Sequence, residues 1–283
     1  MDFAALSGNR RFTVIGASGF IGSRLVAHLR AQGHAVWAPA RDAAALFEQP
    51  LGHVMYCAGL TADFQARPFD TVEAHVGLLA RLLQRAQFES LVYLSSTRLY
   101  DSLGAVEAHE ALPLILNPAQ PRHLYDLSKA LGESLCHTVG QGRARIARLA
   151  CVFDGIEDAD GFVPALLRQV QSALRAAQGR SCELAVDSAP DLERDYVHLP
   201  DVLSALECIA VRGQQTVYNV ASGANVRNAE LFDYIERRWN CRLHPLRSAQ
   251  AAAPRIRVDR MRTEFGWQAR DLWSVLDSFM DEL

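Results

Sequence analysis

Residues 11–42 read RFTVIGASGFIGSRLVAHLRAQGHAVWAPARD. Phe12 to Ile15 is a short run rich in β-branched residues, as a strand buried on both faces requires. Glycines follow at once, and then Ile21, Leu25, Val26 and Leu29 recur at the helical period up to Gly33. His34 to Ala38 returns to strand character. Strand, glycine turn, helix and strand make a βαβ unit with a right-handed crossover. Gly16, Gly19 and Gly22 give the spacing G-x-x-G-x-x-G. Such a turn lets the chain leave the strand sharply and lets bare backbone approach a pyrophosphate. It also brings the N-terminal N–H groups of the helix toward the phosphates, and Ser18 adds a hydroxyl donor.

The pattern repeats downstream. GHVMYCAGL, ESLVYLSST and ARIARLACVF read as strands, and TVEAHVGLLARLLQRAQ and LYDLSKALGESLCHTV as helices. This alternation predicts an α/β, doubly wound, parallel-sheet fold. Beyond Phe153 the rhythm loosens into helices at GFVPALLRQVQSALRAA, PDVLSALECIA and RNAELFDYIERRW. Short strands are expected at CELAV, DYVHL and QTVYNVA. One or two of these late elements are expected to return to the core near 196–222. The remainder of 151–283 forms a smaller lobe, in which Trp239, Trp267 and Trp273 are expected to pack.

Composition narrows the function classes. The chain has 283 residues and a net charge of −3 without a basic run, which points away from nucleic acid and anionic membrane. The six cysteines are scattered with no Cys-x-x-Cys pair, so reduced structural thiols are expected. The nine histidines show no metal-ligand spacing, and His109 and His123 are expected to be exposed loop residues. No secretory leader and no apolar run of spanning length is visible, which predicts a cytoplasmic protein.

For the choice of dinucleotide, the end of the second strand matters. Arg41 stands there with no acidic residue before it, which suits a ribose 2′-phosphate and favours NADP over NAD; the alternative is that Asp42 holds the ribose. In YDLSK, Tyr125 and Lys129 lie one helical turn apart. A free phenol near pKa ~10 is too weakly acidic to serve at neutral pH, and a neighbouring ammonium stabilises its phenolate.

Together, GASGFIG, LVYLSSTRLY, YDLSKALGE, RLACVF, RDYVHLPDV and YNVASG resemble the extended short-chain dehydrogenases/reductases. More narrowly, they resemble the NAD-dependent epimerase/dehydratase group that modifies nucleotide sugars. The resemblance implies a Rossmann domain over 1–150 and a substrate-binding lobe over most of 151–283. It implies Tyr125 as general acid/base, Lys129 as its partner and Ser96 as the supporting hydroxyl, with Thr97 one residue away as the alternative. It also implies a dinucleotide held by Gly16, Ser18, Gly19, Phe20, Ile21, Gly22, Arg41, Asp42, Cys57, Ala58, Gly59, Ser95, Tyr125 and Lys129. Substrate would meet Thr97, Arg98, Cys151 and Arg194. His75 stands where the group has a supporting Asn.

At the positions after the active-site hydroxyl, the 4,6-dehydratases of this group carry an Asp-Glu pair, and here there are Thr97 and Arg98. The resemblance therefore favours simple redox at one carbinol, as in a 4-epimerase or 4-ketoreductase. The alternatives are an NADPH-dependent ketoreductase of a non-sugar metabolite and a catalytically silent dinucleotide sensor. Arg98 is open to two readings: a cation for a substrate carboxylate or phosphate, or an ion pair with Asp101 or Glu107. The connection between Ala40 and His53 is short for the extra strand usual in the group, which is missing or vestigial. A homodimer through the helices at Val72–Gln87 and Leu124–Val139 is implied as well.

Overall fold

The computed structural model describes residues 9–40, 43–158, 161–178, 180–248 and 253–279. β1 (Arg11–Ile15) passes through the glycine turn into α1 (Phe20–Ala31) and β2 (Ala35–Trp37). A 3-10 turn at Ala44–Phe47 then leads to β3 (His53–Tyr56). α2 (Pro68–Val72), a π-turn (Glu73–Gly77) and α3 (Leu78–Arg85) follow without interruption. Next come β4 (Ser90–Ser96), a 3-10 turn (Thr97–Leu103), the two-residue β5 (Glu107–Ala108), α4 (His123–Val139) and β6 (Ala144–Leu149). The rest is β7 (Cys151–Phe153), α5 (Phe162–Ala176), β8 (Cys182–Val186), β9 (Glu193–His198), α6 (Leu199–Arg212) and β10 (Val217–Val220). After these lie β11 (Asn225–Arg227), α7 (Asn228–Trp239), β12 (Cys241–Pro245), β13 (Arg255–Ile256), α8 (Asp259–Phe265) and α9 (Leu272–Ser278).

Six parallel strands form the central sheet in the order β10-β6-β4-β3-β1-β2. The strand order reverses between β1 and β3, so a crevice opens at their carboxyl ends, where open α/β sheets bind ligands. Both faces are covered, which is why the strands read as unbroken apolar runs. On one face, Leu25 and Leu29 of α1 and Val202 and Leu206 of α6 pack against Phe12, Val14 and Val92. On the other, Leu79 and Leu82 of α3 and Cys136 of α4 pack against Val54, Tyr56 and Ile146. Burying each such leucine contributes about 2 kcal/mol.

The edge beyond β2 carries no further strand among the described residues. The connection carries the 3-10 turn instead, and its Leu46 is buried with Val54, Leu79 and Leu82. The run ARIARLACVF breaks at Ala150. β6 stays in the central sheet, whereas β7 pairs with β9, which pairs with β11. The lobe buries Leu166, Val170, Phe232, Ile235, Val275 and Leu276 from α5, α7 and α9.

Two expectations need correction. Trp239 and Trp273 do pack in the lobe. Trp267, however, joins the core of the parallel sheet and donates its indole N–H to Asp201 O at 3.1 Å. His123 is buried rather than exposed, and its Nδ1 accepts the Asn117 N–H at 3.0 Å. As the first residue of α4 it faces inward, a position that loop composition alone does not reveal.

Candidate functional site

The glycine turn closes against the end of β3. Gly16 has φ +81°, and a Cβ there would stand 2.7 Å from Ala58 N. A Cβ on Gly22 would stand 2.2 Å from Gly16 O, so α1 approaches the turn as closely as backbone allows. Gly19 caps α1 without a side-chain bond, and the first turn of the helix carries no acidic residue. The positive end of the helix is therefore left for an anion. Ser18 and Gly19 are exposed beside it, and Phe20 and Ile21 are half-buried in the first turn.

Cys57, Ala58 and Gly59 line the same crevice past the tip of β3. Burial pushes the Cys57 thiol up to about 12, so it is an uncharged wall. Bare backbone, an acid-free helix N-terminus and an apolar flank together fit a dinucleotide. Arg41 and Asp42, expected at the ribose, lie outside the described residues. Ser95, also expected at the cofactor, donates its hydroxyl to Glu133 Oε1 at 2.6 Å.

β4 and α4 bring the polar trio together. Ser96 ends β4, and its hydroxyl caps the following 3-10 turn by accepting the Arg98 N–H at 3.2 Å. The same hydroxyl acts on the Tyr125 phenol to hold its pKa down, while Thr97 opens the turn. Tyr125 and Lys129 share one face of α4, with Lys129 Nζ 5.9 Å from the Tyr125 ring centroid. Lys129 is buried and donates to Leu94 O at 2.9 Å. Burial lowers its pKa to about 7, against the pull of Glu133. Burial raises the Tyr125 pKa, and the Ser96 hydrogen bond and the Arg98 charge oppose that rise.

His75 braces this pair. It sits in the π-turn, where the extra backbone residue aims it inward. The Leu60 N–H donates to Nε2 at 3.2 Å, and Nδ1 lies 2.7 Å from Ser128 Oγ. Ser128 itself donates to Tyr125 O at 2.8 Å, so the His75 proton is on Nδ1. Burial and the Lys129 charge hold its pKa down at about 2, which keeps it neutral. Its ring meets Tyr125 edge-on at 5.3 Å. A Cβ on Gly59 would come within 3.0 Å of His75 Nε2 and 3.2 Å of Lys129 Nζ, so the crevice wall rests on both.

Of the residues expected at substrate, Cys151 is exposed at the start of β7, directly across from Tyr196 of β9. Arg194, on β9, donates to Glu193 O at 2.9 Å, and its charge acts on the carboxyl of Asp101, which burial pushes up. Arg98 has a different partner from either expected one. It pairs with Asp126, Nε to Oδ1 at 3.2 Å, while Glu107 pairs with Arg255 and Arg257.

Sequence reasoning missed two residues here. Glu133 lies four beyond Lys129 and binds Arg148, with Nε to Oε1 at 2.9 Å, both buried. The four-residue spacing of 125, 129 and 133 along one helix was the available signal. Phe64, whose ring lies 5.7 Å from that of Tyr125, comes from a loop and had none.

Among the described residues no group of His, Cys, Asp and Glu is placed to hold a metal, and no helix is long and apolar enough to cross a membrane. Solved structures share this architecture. MoeE5 in complex with UDP-glucose and NAD is 21% identical, with 96% of this chain and 97% of that one covered and a TM-score of 0.72. RMD from Pseudomonas aeruginosa complexed with NADPH is 26% identical over 97% and 99% of the chains, at a TM-score of 0.70. A UDP-glucose 4-epimerase from Thermotoga maritima is 18% identical over 94% and 95%, at 0.68. No curated protein matches. The model of the NAD dependent epimerase/dehydratase family matches residues 12–221. With that match over most of the chain, on a crevice shaped for a dinucleotide, the protein belongs to the NAD-dependent epimerase/dehydratase family and is a nicotinamide-dependent enzyme.

Proposed function

We propose that the protein interconverts a carbinol and a ketone on a nucleotide sugar, as a 4-epimerase or 4-ketoreductase does, with Tyr125 as acid/base. One observation carries the proposal: Tyr125 and Lys129 share one face of α4, with Lys129 Nζ 5.9 Å from the Tyr125 ring centroid and beside Gly59 of the crevice wall. The nucleotide-sugar substrate is supported by the UDP-glucose bound in MoeE5 and in the Thermotoga epimerase. When bound, the dinucleotide supplies the hydride acceptor and donor. Gly16, Gly19 and Gly22 would hold its phosphates, and Gly59 and Cys57 would flank it.

Tyr125 takes the proton of the substrate hydroxyl during oxidation and returns it during reduction. Ser96 holds that oxygen in line, and Lys129 steadies the phenolate. Thr97, Cys151 and Arg194 border the space where the sugar and its phosphates would lie. Arg41 favours NADP by the absence of an acidic residue before it. Exposed Phe69 and Val72 of α2, with Leu131 and Val139 of α4, support a homodimer through these helices.

Tyr125→Phe should abolish turnover while leaving dinucleotide affinity near wild type, as measured by fluorescence titration and steady-state rates on UDP-sugars. Retained turnover in that variant would sink the mechanism. Dinucleotide that stays with the purified protein, seen in its absorbance, points to the epimerase; release points to the reductase.

A further inference from the structure

We propose that Arg98 is a positioning residue for Tyr125: the guanidinium lies against the phenol ring as a permanent second cation that stabilises the phenolate. This rests on the reading of Tyr125 as acid/base and adds a device that the Tyr-x-x-x-Lys spacing does not supply. The Arg98 Cζ is 5.0 Å from the Tyr125 ring centroid and 5.1 Å from that of Phe64, so the guanidinium is shared by two aromatic rings. It is held there from three sides. The Arg98 N–H is fixed by Ser96 Oγ, its Nη2 donates to Arg122 O at 3.2 Å, and its Nε faces Asp126 at 3.2 Å.

Asp126 is the residue after Tyr125 and is 2% exposed, and its Oδ1 has no hydrogen-bond partner. A buried carboxylate in that state needs a neighbouring charge, and Arg98 is the first cation acting on it. The geometry thus gives Arg98 two tasks. It neutralises Asp126, which would otherwise oppose ionisation of the phenol, and it presents its own charge to the ring face.

The other groups around Tyr125 do not duplicate this. From α4, Lys129 is farther, at 5.9 Å, and burial brings its proton to the point of loss near neutral pH. From the π-turn, His75 is neutral. From β4, Ser96 offers a hydroxyl. Arg122 and His123 act on Asp126, and Asp101 on the 3-10 turn faces Arg98, Arg122 and Arg194. A guanidinium cannot be discharged in this pH range, so Arg98 alone keeps a constant charge at the ring.

The test reads the phenol directly and needs no substrate. Phenolate absorbance is titrated in wild type and in Tyr125→Phe, and the difference is the Tyr125 curve. Burial raises the other six tyrosines as well, and subtracting the Tyr125→Phe curve removes their contribution. Arg98→Gln should move the midpoint to higher pH, Arg98→Lys should restore much of it, and Asp126→Asn should move it lower. Opposite signs are the mark of charge. An unmoved midpoint, or one moved the same way by Arg98→Gln and Asp126→Asn, overturns the proposal. Should Arg98→Gln fail to fold, Asp126→Asn decides by itself, since a downward shift is required of it. An inactive Tyr125→Phe with an unmoved midpoint removes the role of Arg98 only, whereas an active Tyr125→Phe removes the acid/base reading.

Discussion

A buried lysine is costly to fold around, and Lys129 shows what the site gives up for its chemistry. The folded protein releases the Lys129 proton near pH 7, whereas the unfolded chain keeps it to the ordinary value of 10.5. Between those values the unfolded state binds more protons, so the stability due to this group rises with pH. Below about 7 the full cost of burying the ammonium is present. Lys129→Met should therefore melt higher than wild type at neutral pH, with the advantage shrinking toward pH ~10. Thermal melts of the dinucleotide-free proteins across that range check it. A variant less stable than wild type at pH 7 would contradict the burial argument. Tyr125 and Lys129 were legible as a pair from four-residue spacing. His75 and Arg98 were singled out as well, but that Arg98 acts on Tyr125 and Glu133 on Lys129 was not legible, because these contacts join separate parts of the chain or depend on burial.

Among the elements, the glycine turn and α1 depend on an approach that only bare backbone permits. Gly22→Ala places a methyl 2.2 Å from Gly16 O, so α1 must move away from β1. Overpacking of this kind costs about 1–3 kcal/mol, and the displaced N-terminal N–H groups would no longer meet the phosphates. The variant should melt lower and bind the dinucleotide at least about tenfold more weakly, a factor that corresponds to about 1.4 kcal/mol. Unchanged affinity in a titration would show that the cradle tolerates the shift. The π-turn between α2 and α3 was invisible in the sequence, since Val72, Val76 and Leu79 fit an unbroken helix. One extra residue in that turn sets where His75 points, and apolar periodicity does not register it. Likewise β6 and β7 read as one continuous strand, and only the pairing of β7 with β9 separates them.

For the whole molecule, the two sides of α4 divide the labour. Cys136 faces the sheet, whereas Leu131 is 50% exposed on α4 and Phe69 is 88% exposed on α2. Burying such side chains between two copies is a hydrophobic gain of about 1.5–3 kcal/mol for each fully covered residue. If the proposed dimer forms through this face, Leu131→Glu combined with Phe69→Glu should lower the mass seen by light scattering from dimer to monomer; an identical mass for both proteins would exclude this face. By itself the sequence determined the alternation of strand and helix, the glycine turn, and the Tyr125–Lys129 pair, because each depends on neighbours a few residues apart. The tertiary structure decided where the sheet ends beyond β2, which strands leave it for the lobe, and why Trp267 belongs to the sheet core. It also decided that Arg98 forms its ion pair with Asp126 and lies over the Tyr125 ring, because ion pairing is a matter of distance in space and burial, and neither is written in local sequence.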